Sequence, residues 1–262
     1  MKNVIIINDC SDENAAGRQK IRASRLFGHT PIFVGVSDEL EASGNLVDAL
    51  DALEESQGIV LVNVAPRGGK INKWENGTPF GYFFYKEVLV ISTIDGLTLS
   101  LVKKLNLTKL INVLDTAGVV KELIHNKFLS SKLRNRISES QFRSFDFLPR
   151  IAAYITRGNS VTSEKLNIDF VPNVPPAIWC IDNFGNCKTT LFPEEISFKS
   201  GKQILTKFGK LLCYERLMDV PHGEAALIIG SSGLGEKRFL EVVVQRENAA
   251  KKLNVHLGSS VI

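Results

Sequence analysis

The stretch Val4-Ile5-Ile6-Ile7-Asn8 is a short, continuous apolar run that ends at Asp9. Such a run is typical of a strand that is buried on both faces of a parallel sheet. Further strand-like runs lie at 31–36, 58–65, 88–93 and 110–114, and helix-like segments lie at 17–26 and 45–53. Strands that alternate with helices predict an α/β N-terminal domain, with a mainly parallel sheet and helices on both faces.

Polar side chains stand at or just after the ends of three predicted strands. Asp9 follows the first strand, Asn63 lies near the end of the run at 58–65, and Asp95 follows the run at 88–93. In open α/β sheets, ligands bind beyond the carboxyl ends of the strands. We therefore expect a ligand site at this edge of the sheet.

The second half of the chain has short strand-like segments that are joined by turns containing glycine. These segments are 177–182, 187–191, 210–214, 225–229 and 239–245, and one short helix is expected at 247–253. The pattern predicts a small all-β C-terminal domain, a barrel or a sandwich. Because 161–176 contains three prolines and no clean periodicity, we expect an α/β domain at 1–160, a linker at 161–176 and a β domain at 177–262.

The composition is that of an ordinary globular protein. Of the 262 residues, 44% are hydrophobic and 23% are charged, so extensive disorder is not expected. The net charge of +4 is spread along the chain, and even the densest basic stretch, 127–136, is typical of a solvated surface, so we expect no nucleic-acid partner. No apolar run reaches the roughly 18–20 residues that span a bilayer, and the first run is too short for a secretory signal, so we expect no membrane partner.

The cysteines give no sign of a metal site. Cys10, Cys180, Cys187 and Cys213 form no Cys-x-x-Cys pair, and no histidine stands near them at the spacing of a zinc site. We expect reduced thiols in a cytoplasmic protein that holds no metal.

The stretch Ile-Asp-Asn-Phe-Gly-Asn-Cys at 181–187 places a carboxylate, an aromatic ring, a glycine and carboxamides in one turn between two strands. Asp182 can accept hydrogen bonds on both oxygens, and Asn186 can donate and accept in one plane. These groups suit a ribose diol, an amino group or an adenine edge. The alternative is a hairpin turn held by its own Asx hydrogen bonds.

The stretch Ile-Gly-Ser-Ser-Gly-Leu-Gly at 229–235 is the second candidate binding segment. Its glycines allow the backbone to approach a ligand, and Ser231 and Ser232 add hydroxyls. It lacks the Gly-Lys-Ser/Thr of a phosphate-binding P-loop. A plain hairpin turn is the alternative interpretation.

Two further candidate segments lie in the predicted N-terminal domain. After the first strand, Asp12 either faces the ligand crevice or caps the helix that follows. The stretch Ser-Gln-Phe-Arg-Ser-Phe-Asp at 140–146, taken by itself, is typical of the polar start of a helix with aromatic side chains that pack.

Taken together, the four segments resemble one family: the S-adenosylmethionine (SAM) hydroxide adenosyltransferases, or SAM hydrolases, and the related SAM-dependent chlorinases and fluorinases. The stretch 182–186 is similar to the family's Asp-x-Phe-Gly-Asn signature. The similar blocks, in chain order, are Asp9 with Asp12; Ser140 and Phe142 with Asp146, Pro149 and 152–153; 182–186; and 231–233 with 248–250 and Leu253.

The resemblance implies a homotrimer in which SAM, as substrate or ligand, lies between the N-terminal domain of one subunit and the C-terminal domain of its neighbour, with no other cofactor. Asp9 would hold the ribose hydroxyls, and Asp182, Asn186 and Ser231 would contact the methionine or adenine portions. Phe184 is expected to be a packing residue. The remaining substrate-binding positions that the resemblance implies are Asp12, Asp95, Phe142 and Ser232.

The expected catalytic positions differ from the family pattern. Asn63 stands where the hydrolases have an Asp, and Arg143 stands where they have a His. Ser144 replaces the following Gly, as it does in fluorinase-like members, and Phe145 falls at the family's Arg.

Water that attacks C5′ must be held in line and must lose a proton. An Asp can accept that proton, whereas Asn63 can only orient the water, and Arg143 adds a permanent cation. Three functions are therefore open: hydrolysis of SAM to adenosine and methionine, transfer of the C5′ group to another nucleophile, and non-catalytic binding of SAM or adenosine.

Overall fold

A computed structural model describes residues 2–54, 56–66 and 78–262 of the protein. The packing of the chain divides it into two compact units, Met1–Asn173 and Val174–Ile262.

The N-terminal unit is built on a seven-stranded sheet. Its strands are β1 (Asn3–Asn8), β2 (Ile32–Gly35), β3 (Gly58–Asn63), β4 (Phe80–Tyr85), β5 (Val88–Thr93), β6 (Leu110–Leu114) and β7 (Glu164–Asn167). Their order is β2-β1-β3-β5-β4-β6-β7. Strands β2, β1, β3 and β5 are mutually parallel, whereas β4 is antiparallel to β5 and β6, and β7 is antiparallel to β6. Five of these seven strands thus share one direction, which confirms the predicted mainly parallel α/β sheet.

Helices cover both faces of this sheet. They are α1 (Glu13–Phe27), α2 (Glu39–Ala52), α3 (Ser100–Lys104), α4 (Thr116–His125), α5 (Arg134–Ser138), α6 (Arg143–Asp146) and α7 (Leu148–Ile155). On one face, Ile6 and Leu61 share a buried cluster with residues of α1, α4 and α7. The intervening residues, such as Ile7 and Val62, are buried on the opposite face, where α2 packs against β1 and β3.

Strand β7 lies inside the segment that the sequence assigns to a linker, 161–176. It pairs with β6 from Leu110↔Asn167 to Val113↔Glu164 and belongs to the N-terminal unit, which extends to Asn173. The linker prediction is wrong over this strand. An edge strand is held by backbone hydrogen bonds along one side only, so the mostly exposed β7 needs no apolar pattern.

The C-terminal unit is all-β, as predicted. Its strands are β8 (Ile178–Ile181), β9 (Cys187–Thr189), β10 (Gln203–Thr206), β11 (Gly209–Tyr214), β12 (Ala225–Leu234) and β13 (Lys237–Val244), followed by α8 (Ala249–Lys252). They form one sheet in the order β10-β11-β12-β13-β9-β8. Each neighbouring pair is antiparallel except β11 and β12, which are parallel.

Aromatic side chains fill part of the interior of the C-terminal unit. The ring of Phe239 stacks on Phe192 at a centroid distance of 4.7 Å and meets Trp179 edge-on at 6.4 Å. All three side chains are buried. Offset-stacked and edge-on pairs of this kind stabilise a core beyond the area that they bury.

None of the helices in the described part of the chain is long and apolar enough to cross a membrane.

The cysteines differ sharply in exposure, and this difference gives a first testable prediction. All are free thiols; Cys10 is exposed and Cys187 is buried. Burial, helped by the charge of Asp182, raises the pKa of Cys187 to about 12. The thiolate is the reactive form, and this shift keeps Cys187 almost entirely in the unreactive thiol form at pH 8.

We expect Cys10 to react with an aromatic disulfide reagent in the native protein at pH 8, and Cys187 to react only after denaturation. Peptide mass spectrometry after labelling measures this directly. The variant Cys10→Ser is the control and should lose the label at that peptide alone. Labelling of Cys187 in the native protein would contradict the burial described here.

Candidate functional site

The carboxyl ends of β1 and β3 bring the first predicted site residues together. Asn8 pairs with Asn63 in the parallel register of the two strands. The backbone N–H of Asp9 donates to the carbonyl of Asn63 at 3.3 Å, and the N–H of Ala65 donates to Asp9 Oδ2 at 3.0 Å. Asp9 and Asn63 therefore lie side by side at this edge of the sheet.

A network of side-chain amides lies at the same edge. Asn8 Oδ1 accepts from the N–H of Cys10 at 2.8 Å and from Asn63 Nδ2 at 3.4 Å. Asn8 Nδ2 donates to Gln19 Oε1 at 2.7 Å, and both Asn8 and Gln19 are buried. Asn8 Oδ1 is an acceptor, and the amide of Asn63 supplies a donor to it. An ionised carboxylate at residue 63 could not donate this hydrogen bond.

A cavity of about 240 Å³ opens beside the start of α1. Its lining includes three predicted site residues, Asp12, Phe142 and Ser144, together with Arg18 and Gln19 of α1. Pockets for drug-sized ligands span about 300–1,000 Å³. This cavity therefore has room for part of such a ligand.

Asp12 is the N-cap of α1. Its Oδ1 accepts from the N–H groups of Asn14 at 3.1 Å and Ala15 at 3.0 Å, which satisfies two donors of the first helical turn. The helix ends at Gly28, whose φ of 82° suits a glycine. Of the two interpretations that the sequence left open, the cap is the one with hydrogen bonds in the structure, and Asp12 also lines the cavity.

Arg143 and Ser144 are neighbours in sequence but have different surroundings. Arg143 is half-buried; its Nη2 donates to the carbonyl of Thr78 at 2.6 Å, and its guanidinium lies 5.2 Å from the centre of the Phe80 ring. Burial lowers the pKa of Arg143 below its ordinary value. Ser144 lines the cavity, whereas Arg143 is outside its lining. The cation is thus engaged by a backbone carbonyl and an aromatic ring.

Asp95 lies apart from the cavity. It is 5% exposed and precedes Gly96, which has a φ of +68°. A side chain on Gly96 would come within 2.8 Å of Glu39 and 3.0 Å of Pro66, so the chain packs closely at this turn.

Arg18, Phe142 and Phe145 line one side of the cavity, and of these sequence reasoning identified only Phe142. The guanidinium of Arg18 lies 4.7 Å from the centre of the Phe145 ring and 5.9 Å from that of Phe142. Arg22 lies 4.1 Å from the Phe145 ring. The sequence holds one signal for this wall: Asn14 and Arg18, which both line the cavity, lie four residues apart and so share a face of α1. Arg22 continues this face one turn further on, outside the lining.

In the C-terminal unit, Asp182 and Asn186 form a closed turn. Asp182 Oδ1 accepts from the N–H groups of Phe184 and Asn186, each at 2.9 Å, and its Oδ2 accepts from Asn186 Nδ2 at 3.0 Å. This is the Asx-bonded hairpin that stood as the alternative interpretation of the segment. The ring of Phe184, expected to be a packing residue, is 79% exposed in this unit.

Ser231 and Ser232 lie within β12 and not in the turn that the sequence suggested. The pairing of β12 with β13 is irregular between Ile229 and Gly233, which marks a bulge. Ser232 is buried and its Oγ accepts from Lys188 Nζ at 2.6 Å. Ser231 is exposed, and its carbonyl accepts from Arg238 Nη1 at 3.0 Å.

Most of the predicted site residues fall into two groups, one in each unit, whereas Asp95 and Arg143 lie outside the cavity lining. Asp9 and Asn63 meet at the sheet edge, and Asp12, Phe142 and Ser144 meet at the cavity. Asp182 and Asn186 share one turn, while Ser231 and Ser232 share a bulge. This combination defines a protein with an α/β unit that carries a polar strand edge and an all-β unit that carries an Asx-bonded turn and a serine-containing bulge.

Residues 176–262 match the family model described as the SAM hydroxide adenosyltransferase C-terminal domain. This match confirms, over the C-terminal part of the chain, the resemblance found in the sequence.

Two solved structures share the fold over the whole chain. A protein from Thermotoga maritima, described as an uncharacterized conserved protein, is 17% identical with a TM-score of 0.69, covering 99% of this chain and 100% of that one. A conserved hypothetical protein from Thermus thermophilus is 19% identical with a TM-score of 0.63, covering all of both chains. At these identities the likeness shows the fold alone. A search of the curated proteins finds no match.

Proposed function

We propose that the protein binds SAM and cleaves it by attack of water at the ribose C5′, giving adenosine and methionine. The observation that carries this proposal is the match of residues 176–262 to the SAM hydroxide adenosyltransferase C-terminal domain.

The N-terminal unit offers groups that suit the adenosyl part of SAM. The carboxylate of Asp9 can accept hydrogen bonds from the two ribose hydroxyls. Phe142 is 62% exposed and presents a ring on which a base can stack. Ser144 lines the cavity and can hydrogen-bond the attacking water. The exposure of Phe142 and the place of Ser144 in the cavity lining support the proposal.

The reaction forms a bond from the water oxygen to C5′ and breaks the bond from C5′ to sulfur. The electron pair of the broken bond stays on sulfur, so methionine leaves as a neutral thioether, and a water proton passes to solvent or to a base. Asn63 can orient the water through its amide oxygen but cannot accept this proton. Because positioning then supplies most of the acceleration, we expect slow turnover.

A second candidate function is non-catalytic binding of SAM or adenosine. The observation that favours it is the amide network in which Asn63 donates to Asn8, a hydrogen bond that an ionised Asp at residue 63 could not donate. Transfer of the C5′ group to an anionic nucleophile gains no such support, since the Arg143 cation contacts Thr78 and Phe80 and does not line the cavity.

Calorimetry with SAM and with adenosine, followed by incubation with SAM and chromatography, tests both candidates. Formation of adenosine and methionine in equal amounts supports hydrolysis, and binding without turnover supports the second candidate. The variant Asp9→Asn tests the proposed contact of Asp9 with the ribose hydroxyls. We expect it to weaken SAM binding about tenfold or more, because an amide offers one acceptor oxygen in place of two. Absence of binding by the wild type would contradict both candidates.

The homotrimer stays a prediction from the resemblance, and the cytoplasmic location stays a prediction from the cysteines. Sedimentation equilibrium over a range of protein concentrations tests the trimer. A monomer at all concentrations would contradict it.

A further inference from the structure

Three arginines converge on one buried carboxylate in the N-terminal unit, behind the cavity wall. Asp146 Oδ1 lies 3.5 Å from Arg22 Nη1, 3.9 Å from Arg136 Nε and 3.9 Å from Arg150 Nη1. Its Oδ2 accepts from Ser140 Oγ at 2.9 Å. The arginines come from α1, α5 and α7, so the cluster exists only in the folded unit.

The charges in this cluster do not balance. Three guanidiniums against one carboxylate leave a surplus of two positive charges. Burial lowers the pKa of Arg150 to about 10, and repulsion from Arg22, Arg136 and Arg25 contributes in the same direction. Burial and the same kind of repulsion lower the pKa of Arg22. The arginines are thus held together against their mutual repulsion.

Asp146 does not form close hydrogen bonds through Oδ1 with the N–H groups of these three guanidiniums. Charge-assisted N–H···O bonds are about 2.7–2.9 Å long, and the contacts to Asp146 Oδ1 are all longer. Arg150 also donates to the carbonyl of Asp146, whereas Arg136 reaches Asp146 through Nε and has an exposed side chain. The cluster therefore opens to solvent on the side of Arg136.

We propose that Arg22, Arg136 and Arg150 form a binding site for a phosphate group, separate from the adenosyl site of the proposed function. A phosphate carries about −1.5 to −2 charges at pH 7 and several strong acceptor oxygens, which match the surplus charge and the forked donors. A carboxylate carries one charge and balances half of the surplus. The basic stretch 127–136, which looks like an ordinary solvated surface in the sequence, supplies Arg136.

Calorimetric titration with inorganic phosphate at constant ionic strength, in the absence of SAM, tests the site. We expect saturable binding by the wild type and a loss of affinity of about tenfold or more in Arg136→Gln. Arg136 is 59% exposed, so this variant should fold. The matched control is Arg134→Gln, which removes the same charge from an exposed position two residues earlier on α5 and should bind phosphate as the wild type does.

A parallel titration with glycerol 3-phosphate, a phosphate monoester without a base, distinguishes free from esterified phosphate as the ligand. Binding of either probe that depends on Arg136 supports the site. An absence of binding for both, or equal binding by Arg136→Gln and the wild type, overturns it. Because SAM is absent, these results stand apart from the success or failure of SAM binding.

Discussion

The variant Gly185→Ala is expected to lower the free energy of unfolding of the C-terminal unit by about 2–5 kcal/mol. Gly185 has a φ of +87°, where a residue with a Cβ is strained by about 1–2 kcal/mol. A Cβ would also lie 2.2–2.4 Å from three side-chain atoms of Asn248. Such overpacking costs about 1–3 kcal/mol in a well-packed site.

The clash at Gly185 cannot be relieved by a simple movement of Asn248. Asn248 Oδ1 accepts from the N–H of Lys251 at 2.8 Å and caps α8. The N–H of Ala250 donates to the carbonyl of Gly185 at 3.0 Å, so the turn and the helix are also joined through the backbone. A shift of Asn248 would lose the cap, which is worth about 1 kcal/mol.

Gly201 provides the matched control for this prediction. Its φ is +82°, but a Cβ there would meet nothing within 4 Å. Gly201→Ala therefore carries the backbone strain without the contact with Asn248. Urea denaturation followed by circular dichroism measures both variants, and the difference between them isolates the contact. Equal losses of stability in the two variants would show that Asn248 moves away freely.

Much of the fold can be predicted because the signal is local. The runs at 4–8, 58–65 and 88–93 are apolar in themselves, and each became a buried strand. Strand β4 is missing from the prediction, although its sequence is Phe-Gly-Tyr-Phe-Phe-Tyr. Because it lies antiparallel between β5 and β6, its place depends on those partners and not on an alternation of strands and helices.

In the candidate site, too, the sequence predicts what local structure determines and does not predict what tertiary packing determines. Asp9 and Asn63 are neighbours because β1 and β3 are parallel and end at the same edge of the sheet. The position of Arg143 does not follow from sequence, because the carbonyl of Thr78 that it binds lies 65 residues away. The convergence of Arg22 and Arg136 on Asp146 is likewise a product of tertiary packing. Sequence reasoning thus locates groups at strand ends and misses those that long side chains bring together.

The variant Asn63→Asp is expected to raise the rate of adenosine formation from bound SAM by about 10²-fold or more. A carboxylate at this position supplies a group that can accept the proton of the attacking water. General-base catalysis typically contributes about 10²–10⁴-fold. Chromatography of adenosine over time, at saturating SAM, measures the change. We also expect the rate to rise with pH through the ionisation of the new carboxyl group, a dependence that an amide cannot give.

The variant Asn63→Asp is also expected to lower stability, because it removes a donor from the amide network. A carboxylate at residue 63 would face Asn8 Oδ1, an acceptor that already binds the N–H of Cys10. Loss of the amide donor in this half-buried place should destabilise the N-terminal unit by about 1–3 kcal/mol. Asn63→Ala is the control, since it removes the donor without adding a base. If Asn63→Asp binds SAM yet forms adenosine no faster than Asn63→Ala, Asn63 does not occupy the position of the hydrolase Asp. If it gains turnover that the wild type lacks, the wild-type amide is what separates a SAM-binding protein from a SAM hydrolase, because the rest of the site already supports the chemistry.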